Sequence, residues 1–177
     1  DYLGLPIIAT TINNEIKIEA IQNTSKQFRI NKKDIDSTDV IPINLKFHSN
    51  EKDFLKIALK VLKEYGCNPS TGYDINITST IPINSGLSSS SALIVAWVNF
   101  LLVTFTNYKV TPNLLAEISY RIEVEEMGGS GGKMDQYTIA NGKTIYLDTI
   151  TNRIIPFNHK LCDMIIGVSN QGKDTQG

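Results

Sequence analysis

Residues 82–97 read PINSGLSSSSALIVAW. A glycine and four consecutive serines run directly into apolar residues. Before them, GYDINITSTIPI alternates through Tyr73, Ile75 and Ile77, the period-two pattern of a half-buried strand. After them, Ala92 to Phe105 is apolar almost all round, interrupted by Asn99 and Thr104, as in a helix buried on most sides. The serine stretch is therefore a strand-to-helix loop. A helix N-terminus exposes unpaired backbone N–H groups and the positive end of the helix dipole. Gly86 lets the backbone approach a ligand, and the hydroxyls of Ser88, Ser89, Ser90 and Ser91 add donors, so phosphate is a natural guest. The competing reading is a capping serine with redundant neighbours, although one such cap stabilises a helix by only about 1 kcal/mol.

A second glycine cluster lies in EVEEMGGSGGKMDQYTIANG, residues 123–142. It does not fit the P-loop pattern GxxxxGK[ST], because Met127 stands at the first glycine and Met134 at the hydroxyl that would meet magnesium. What remains is a helix carrying Glu123, Glu125 and Glu126, a glycine turn, and Asp135 at the start of a short helix ending near Asn141-Gly142. Carboxylates held this way can ligate magnesium or accept a proton. The simpler readings are a solvated face for Glu125 and Glu126 and an N-cap for Asp135.

The rest of the chain gives a coarse map. LPIIATTINNEIKIEAIQ alternates Ile16, Ile18 and Ala20 with Glu15, Lys17 and Glu19, which predicts an N-terminal hairpin turning at Asn13-Asn14. NEKDFLKIALKVLKEYG gathers Phe54, Leu55, Ala58, Leu59, Val61, Leu62 and Tyr65 on one helical face, with Asn50 as the start signal and Gly66 as the stop. Thr111-Pro112 opens another helix in TPNLLAEISYRIEVEE. Short strands are expected at 144–147 and 164–168, giving an α+β pattern without an internal domain boundary.

With 177 residues, 41% hydrophobic and 20% charged, the chain has the composition of an ordinary globular protein. Its net charge of -1 and lack of a basic run argue against binding nucleic acid or an anionic membrane surface. No segment approaches the ~20 apolar residues of a membrane span. Cys67 and Cys162 stand apart, without zinc-ligand spacing or a disulfide framework, and two sequons at Asn23 and Asn76 lack a secretory signal. Cytoplasmic location is the expectation. The chain opens at Asp1, without methionine, directly into a strand-like segment, which reads as a piece of a longer protein.

PINSGLSSSSAL resembles the phosphate-binding motif of the GHMP kinases, and GGSGGKMDQ resembles the galactokinase-type segment ending in MDQ. DYLGLPIIATTI is similar to the galactokinase stretch in which Asp-Tyr introduces a hairpin beside the sugar. IIGVSNQGKDTQG is similar to a strand and polar loop just past the middle of those enzymes. The resemblance spans essentially all of residues 1–177. It implies that Gly86, Leu87, Ser88, Ser89, Ser90 and Ser91 wrap the ATP phosphates and that Ser90 and Glu123 meet Mg2+. It further implies that Asp135 is the catalytic aspartate and that Asp1 and Tyr2, with Asp135, lie at the sugar.

The implied fold is α+β: a GHMP kinase N-terminal domain with a mixed or antiparallel sheet covered on one face by helices. The implied activity is transfer of the ATP γ-phosphate to a sugar hydroxyl. The alternatives are a kinase of a non-sugar alcohol such as mevalonate, and a non-catalytic sugar and ATP sensor. Oligomeric state stays open. The family's extreme N-terminal segment and C-terminal domain would lie outside residues 1–177, so the isolated chain is expected to be inactive or very weak. Two positions depart from the pattern. Asn84 replaces a usual glycine, and Lys133 replaces an apolar residue, where it is expected to meet Asp135 or an anionic acceptor such as a uronic acid.

Overall fold

The alternation at residues 72–79 forms β5 (Gly72–Ser79), with Ile75 and Ile77 buried and Asp74 turned outward. The computed structural model describes residues 3–48, 51–82, 85–129, 131–158 and 162–167. Strand β5 lies inside a four-stranded mixed sheet of order β2-β5-β3-β4. It pairs antiparallel with β2 (Ile16–Asn23) and parallel with β3 (Gln27–Lys32), which pairs antiparallel with β4 (Ser37–Pro42). Phe28, Ile30, Ile41, Ile75 and Ile77 from this sheet join one core with helices α1 (Phe54–Lys63), α2 (Ser89–Phe105) and α3 (Pro112–Tyr120). The predicted α+β class, with helices covering one sheet face, is the observed one.

A second, three-stranded antiparallel sheet has the order β1-β6-β7, from β1 (Ile7–Ala9), β6 (Ile145–Leu147) and β7 (Ile154–Pro156). Ile145 and Leu147 pack with Ala116 of α3 and Tyr137 of α4 (Met134–Asn141) in a smaller core. The expected N-terminal hairpin is not formed, because β1 and β2 belong to different sheets. Eight register pairs bind β2 to β5. Asn14 is held at the end of β5, its Nδ2 donating to the Thr80 carbonyl at 2.6 Å, while Glu15 N–H donates to Thr80 Oγ1 at 2.8 Å. Long-range pairing thus overrides the local turn signal.

Helix α1 starts at Phe54 with Asp53 as its cap, the carboxylate accepting from Leu55 N–H at 2.9 Å. Asn50, the predicted start signal, lies outside the described residues. Asp53 sits immediately before the first helical residue, where a short side-chain acceptor reaches the first-turn donors. The strand expected at 164–168 is absent from 164–167, and Val168 lies outside the described residues. A strand exists as a member of a hydrogen-bonded ladder; among the described residues, 162–167 have no ladder partner and are exposed.

No helix among the described residues is long and apolar enough to cross a membrane. The two cysteines differ sharply in environment. Cys67 is 1% exposed and its thiol donates to the Leu101 carbonyl at 3.6 Å, whereas Cys162 is exposed. Burial pushes the Cys67 thiol up to about 11, which suppresses the reactive thiolate. A thiol reagent at pH 8 is expected to label Cys162 at once and Cys67 only after unfolding, as peptide mass mapping will read. Prompt labelling of Cys67 in the native protein would contradict this packing.

Candidate functional site

The serine loop ends at the N-terminus of α2. Gly86 has φ +74°, in the left-handed region where the absence of a Cβ relieves strain. Ser88 stands at the N-cap with φ 56° and ψ 38°, also left-handed, and its side chain accepts no hydrogen bond from the helix. The capping-serine reading therefore fails. The first N–H groups of a helix have no intrahelical acceptors, and here the cap side chain does not supply one. A left-handed serine costs on the order of 1–3 kcal/mol and marks a place where strain is retained. Ser89 begins the helix, Ser90 is exposed, and Ser91 is buried at 2% exposure. At that depth the Ser91 hydroxyl is withdrawn from any ligand at the loop.

Ser90 meets the second motif directly. Helix α3, capped by Thr111 accepting from Leu114 N–H at 3.3 Å, continues into a π-helical turn over Arg121–Glu126. Such turns widen the backbone spiral locally and recur at functional sites. On this one, Glu123 Oε1 accepts from Ser90 Oγ at 3.0 Å and Oε2 accepts from Gln136 Nε2 at 2.7 Å. Three elements thus converge on one carboxylate. Glu125 is exposed, as a solvated helix face requires. Glu126 departs from that reading: its carboxylate takes Lys60 Nζ at 2.7 Å and lies 3.6 Å from Arg121. Arg121 also grips Glu64 with two bonds of 2.7 and 2.9 Å. That fork holds the Glu64 carboxyl below its usual range, and the network ties the π-turn to α1.

The glycine cluster has a steric reason that spacing alone does not reveal. A Cβ on Gly129 would lie 2.6 Å from the Glu123 carbonyl oxygen, so the chain returns against the backbone of the residue that carries the carboxylate. Gln136 and Gly129 are the two members of the site that sequence reasoning missed. The only available signal was their presence in GGSGGKMDQ itself.

Asp135 occupies the first turn of α4, whose N-cap is Lys133 without a capping side-chain bond. The N-cap reading of Asp135 is therefore wrong by two positions. Half-buried, Asp135 lines a cleft of about 710 Å³ together with Gly86, Leu87 and Ser88 of the loop and Val95 and Asn99 of α2. Of the two partners expected for Lys133, Asp135 is not the one it meets. Its ammonium donates to the Thr149 carbonyl at 3.0 Å and to Asn152 Oδ1 at 2.8 Å, and lies 5.7 Å from the Tyr120 ring centre. Those partners engage its donors at the β6–β7 turn, and Asp135 is not among them. Asp1, Tyr2 and Asn84 lie outside the described residues.

Among the described residues no group of three His, Cys, Asp or Glu side chains converges. The site's donors are hard oxygens, one carboxylate and one hydroxyl, beside a helix N-terminus. Magnesium suits such a set, since it usually takes one or two protein oxygens and fills its shell with water and phosphate.

The chain has relatives among known proteins. The chain is 31% identical over 183 aligned residues to a galactokinase of Streptococcus mutans, an alignment covering 98% of this chain and 46% of that protein. It is 33% identical over 136 residues to a galactokinase of Clostridium perfringens, covering 74% and 34%. The chain spans about half the length of the curated relatives it matches. Galactokinase of Lactococcus lactis, solved with galactose, superposes with a TM-score of 0.74 at 24% identity over 88% of this chain and 42% of that one. Mevalonate kinase of Methanococcus jannaschii superposes with 0.73 at 22% identity over 89% and 50%. Residues 53–143, just over half of the chain, match the family described as the GHMP kinases N terminal domain, and the chain belongs to the GHMP kinases.

Proposed function

We propose that residues 1–177 are the N-terminal domain of an ATP-dependent sugar kinase, which transfers the γ-phosphate of ATP to a sugar hydroxyl as galactokinases do. The observation that carries this reading is the bond between Ser90 Oγ and Glu123 Oε1 at the N-terminus of α2. It joins the two sequence motifs into one site of phosphate-facing N–H groups and a hard-oxygen pair. The galactokinases among the relatives favour a sugar acceptor.

In this reading the loop Gly86–Ser91 binds phosphate oxygens through its backbone N–H groups and the dipole of α2. Glu123 and Ser90 hold Mg2+ by their oxygens. Bound ATP supplies the phosphoryl group, and the ion supplies charge neutralisation as that group moves. Asp135 faces the same cleft, orients the acceptor hydroxyl and accepts its proton. Because phosphoryl transfer needs mainly positioning and charge stabilisation, these fixed groups do most of what the chain contributes. Asp1 and Tyr2 are assigned to sugar binding by resemblance, and the cytoplasm is the proposed location.

Two measurements on the full-length protein test this. Phosphate transfer from ATP to galactose, other sugars, uronic acids and mevalonate identifies the acceptor class. Turnover of mevalonate alone, or of no acceptor while sugar and ATP still bind, would replace the reading by a non-sugar kinase or a sensor. Ser90→Ala is expected to raise the Mg·ATP concentration needed for half-maximal rate by about tenfold. Ser91→Ala, whose hydroxyl is buried, should leave it near the parent value. Equal effects would show the loop's register to be wrong by a residue. The isolated 177 residues are expected to turn over weakly at best.

A further inference from the structure

We propose that Gln136 is a positioning residue for the Glu123 carboxylate, an inference that rests on the reading of Glu123 as a magnesium-holding group. Gln136 follows Asp135 on α4 and is 2% exposed. Its Nε2 donates to Glu123 Oε2 at 2.7 Å, on the opposite side of the carboxylate from the 3.0 Å bond between Ser90 Oγ and Oε1. A short bond from an amide to a carboxylate is charge-assisted and about twice as strong as a neutral one. The reverse amide orientation would set two acceptors 2.7 Å apart, so the partner fixes which end of the side chain faces Glu123. The consequence is geometric. With Oε2 occupied from the buried side, Oε1 is the oxygen turned toward the exposed Ser90 and the end of α2.

Two further observations support a role other than stability. Gln136 Oε1 is buried without a hydrogen-bond partner among the described residues. Such an orphaned acceptor destabilises a fold by an amount comparable with a lost hydrogen bond. An apolar side chain of the same length would avoid that cost. Glu123 also sits on a π-turn, whose side-chain directions do not follow from regular helix geometry. The ion pairs of Arg121 and Glu126 anchor the backbone of that turn, but none of them reaches the Glu123 carboxylate. Gln136 is the buried contact that orients it, complementing the exposed Ser90 hydroxyl. Groups that orient a metal-holding carboxylate typically change affinity by 10–100-fold when removed.

The test measures Mn2+ binding by paramagnetic resonance to the full-length protein with a non-hydrolysable ATP analogue, so no turnover is needed. Gln136→Met preserves length, removes the donor and deletes the orphaned acceptor. It is expected to weaken Mn2+ about tenfold while leaving the melting temperature unchanged or raised. Gln136→Asn, which draws the same amide back by one methylene, is expected to weaken Mn2+ in the same direction and serves if the methionine variant does not fold. Glu123→Gln should weaken Mn2+ at least as much, and adding Gln136→Met to it should cost nothing more, because Gln136 acts through that carboxylate. Parental affinity in both Gln136 variants, with Glu123→Gln impaired, overturns the positioning role alone. Parental affinity in Glu123→Gln overturns the magnesium reading and this inference with it. Additive losses in the double variant would show that Gln136 acts elsewhere.

Discussion

Replacing Asp135 with asparagine in the full-length protein is expected to lower kcat by about 10²–10⁴, the usual contribution of a positioned acid or base. KM for ATP should remain close to that of the parent. Asparagine has nearly the same shape, so the first turn of α4 and the wall of the cleft are retained while the proton acceptor is lost. Gly86, Leu87 and Ser88 line the same cleft. An acceptor seated there shares the cleft with both the carboxylate and the loop assigned to phosphate. If Asp135 works only as the reaction proceeds, kcat and kcat/KM for the acceptor fall together. A raised KM with unchanged kcat would instead make it a binding group. Steady-state kinetics for both substrates separate these outcomes, with circular dichroism confirming that the variant is folded. Retention of the parental kcat would remove Asp135 from the chemistry.

How much of this site could be read in advance depended on whether a residue acts locally or across the chain. The helix opened by Thr111-Pro112 and the helix closed by Gly142 follow from capping, proline and glycine signals within a few residues, and α2 from the apolar run behind its serine loop. Their motifs were correspondingly legible. The expected N-terminal hairpin fails because the Asn13-Asn14 turn signal is local, whereas the pairing of β2 with β5 joins residues 49 to 63 positions apart. Strands β3 and β4 were missed altogether, although Phe28 and Ile30 alternate with Arg29 and Asn31; two apolar positions in six residues are a weak pattern. At the site, Ser90 and Glu123 were assigned on resemblance, and the structure brings them to 3.0 Å. Gln136 and Gly129 are not legible in the same way because what places them at the site is a contact with Glu123, which spacing does not encode. The expected pairing of Lys133 with Asp135 fails for the converse reason: proximity in sequence says nothing of Thr149 and Asn152, its partners in space.

Trp97→Ala should be the most damaging single change to the fold, at about 3–5 kcal/mol, against a total stability for a single domain of about 5–15 kcal/mol. Trp97 is fully buried in the middle of α2. Its ring stacks on Phe100 at 5.4 Å, meets Phe28 of β3 edge-on at 5.5 Å, and its Nε1 donates to the Leu55 carbonyl of α1 at 3.1 Å. One side chain therefore fixes α2 against both the sheet and the neighbouring helix. Truncation opens a cavity at that junction and removes a buried donor from a carbonyl. Trp97→Phe, which refills most of the space, should lose chiefly the hydrogen bond, about 1 kcal/mol. Far-UV circular dichroism in urea is the suitable measurement, because residues 1–177 contain a single tryptophan and its substitution removes the fluorescence signal. The helix that Trp97 anchors also carries Ser90 in its first turn. Loosening it should therefore weaken nucleotide binding even in the fraction that remains folded, whereas Trp97→Phe should not. Equal stability of the alanine and phenylalanine variants would mean that the aromatic junction does not hold α2 in place.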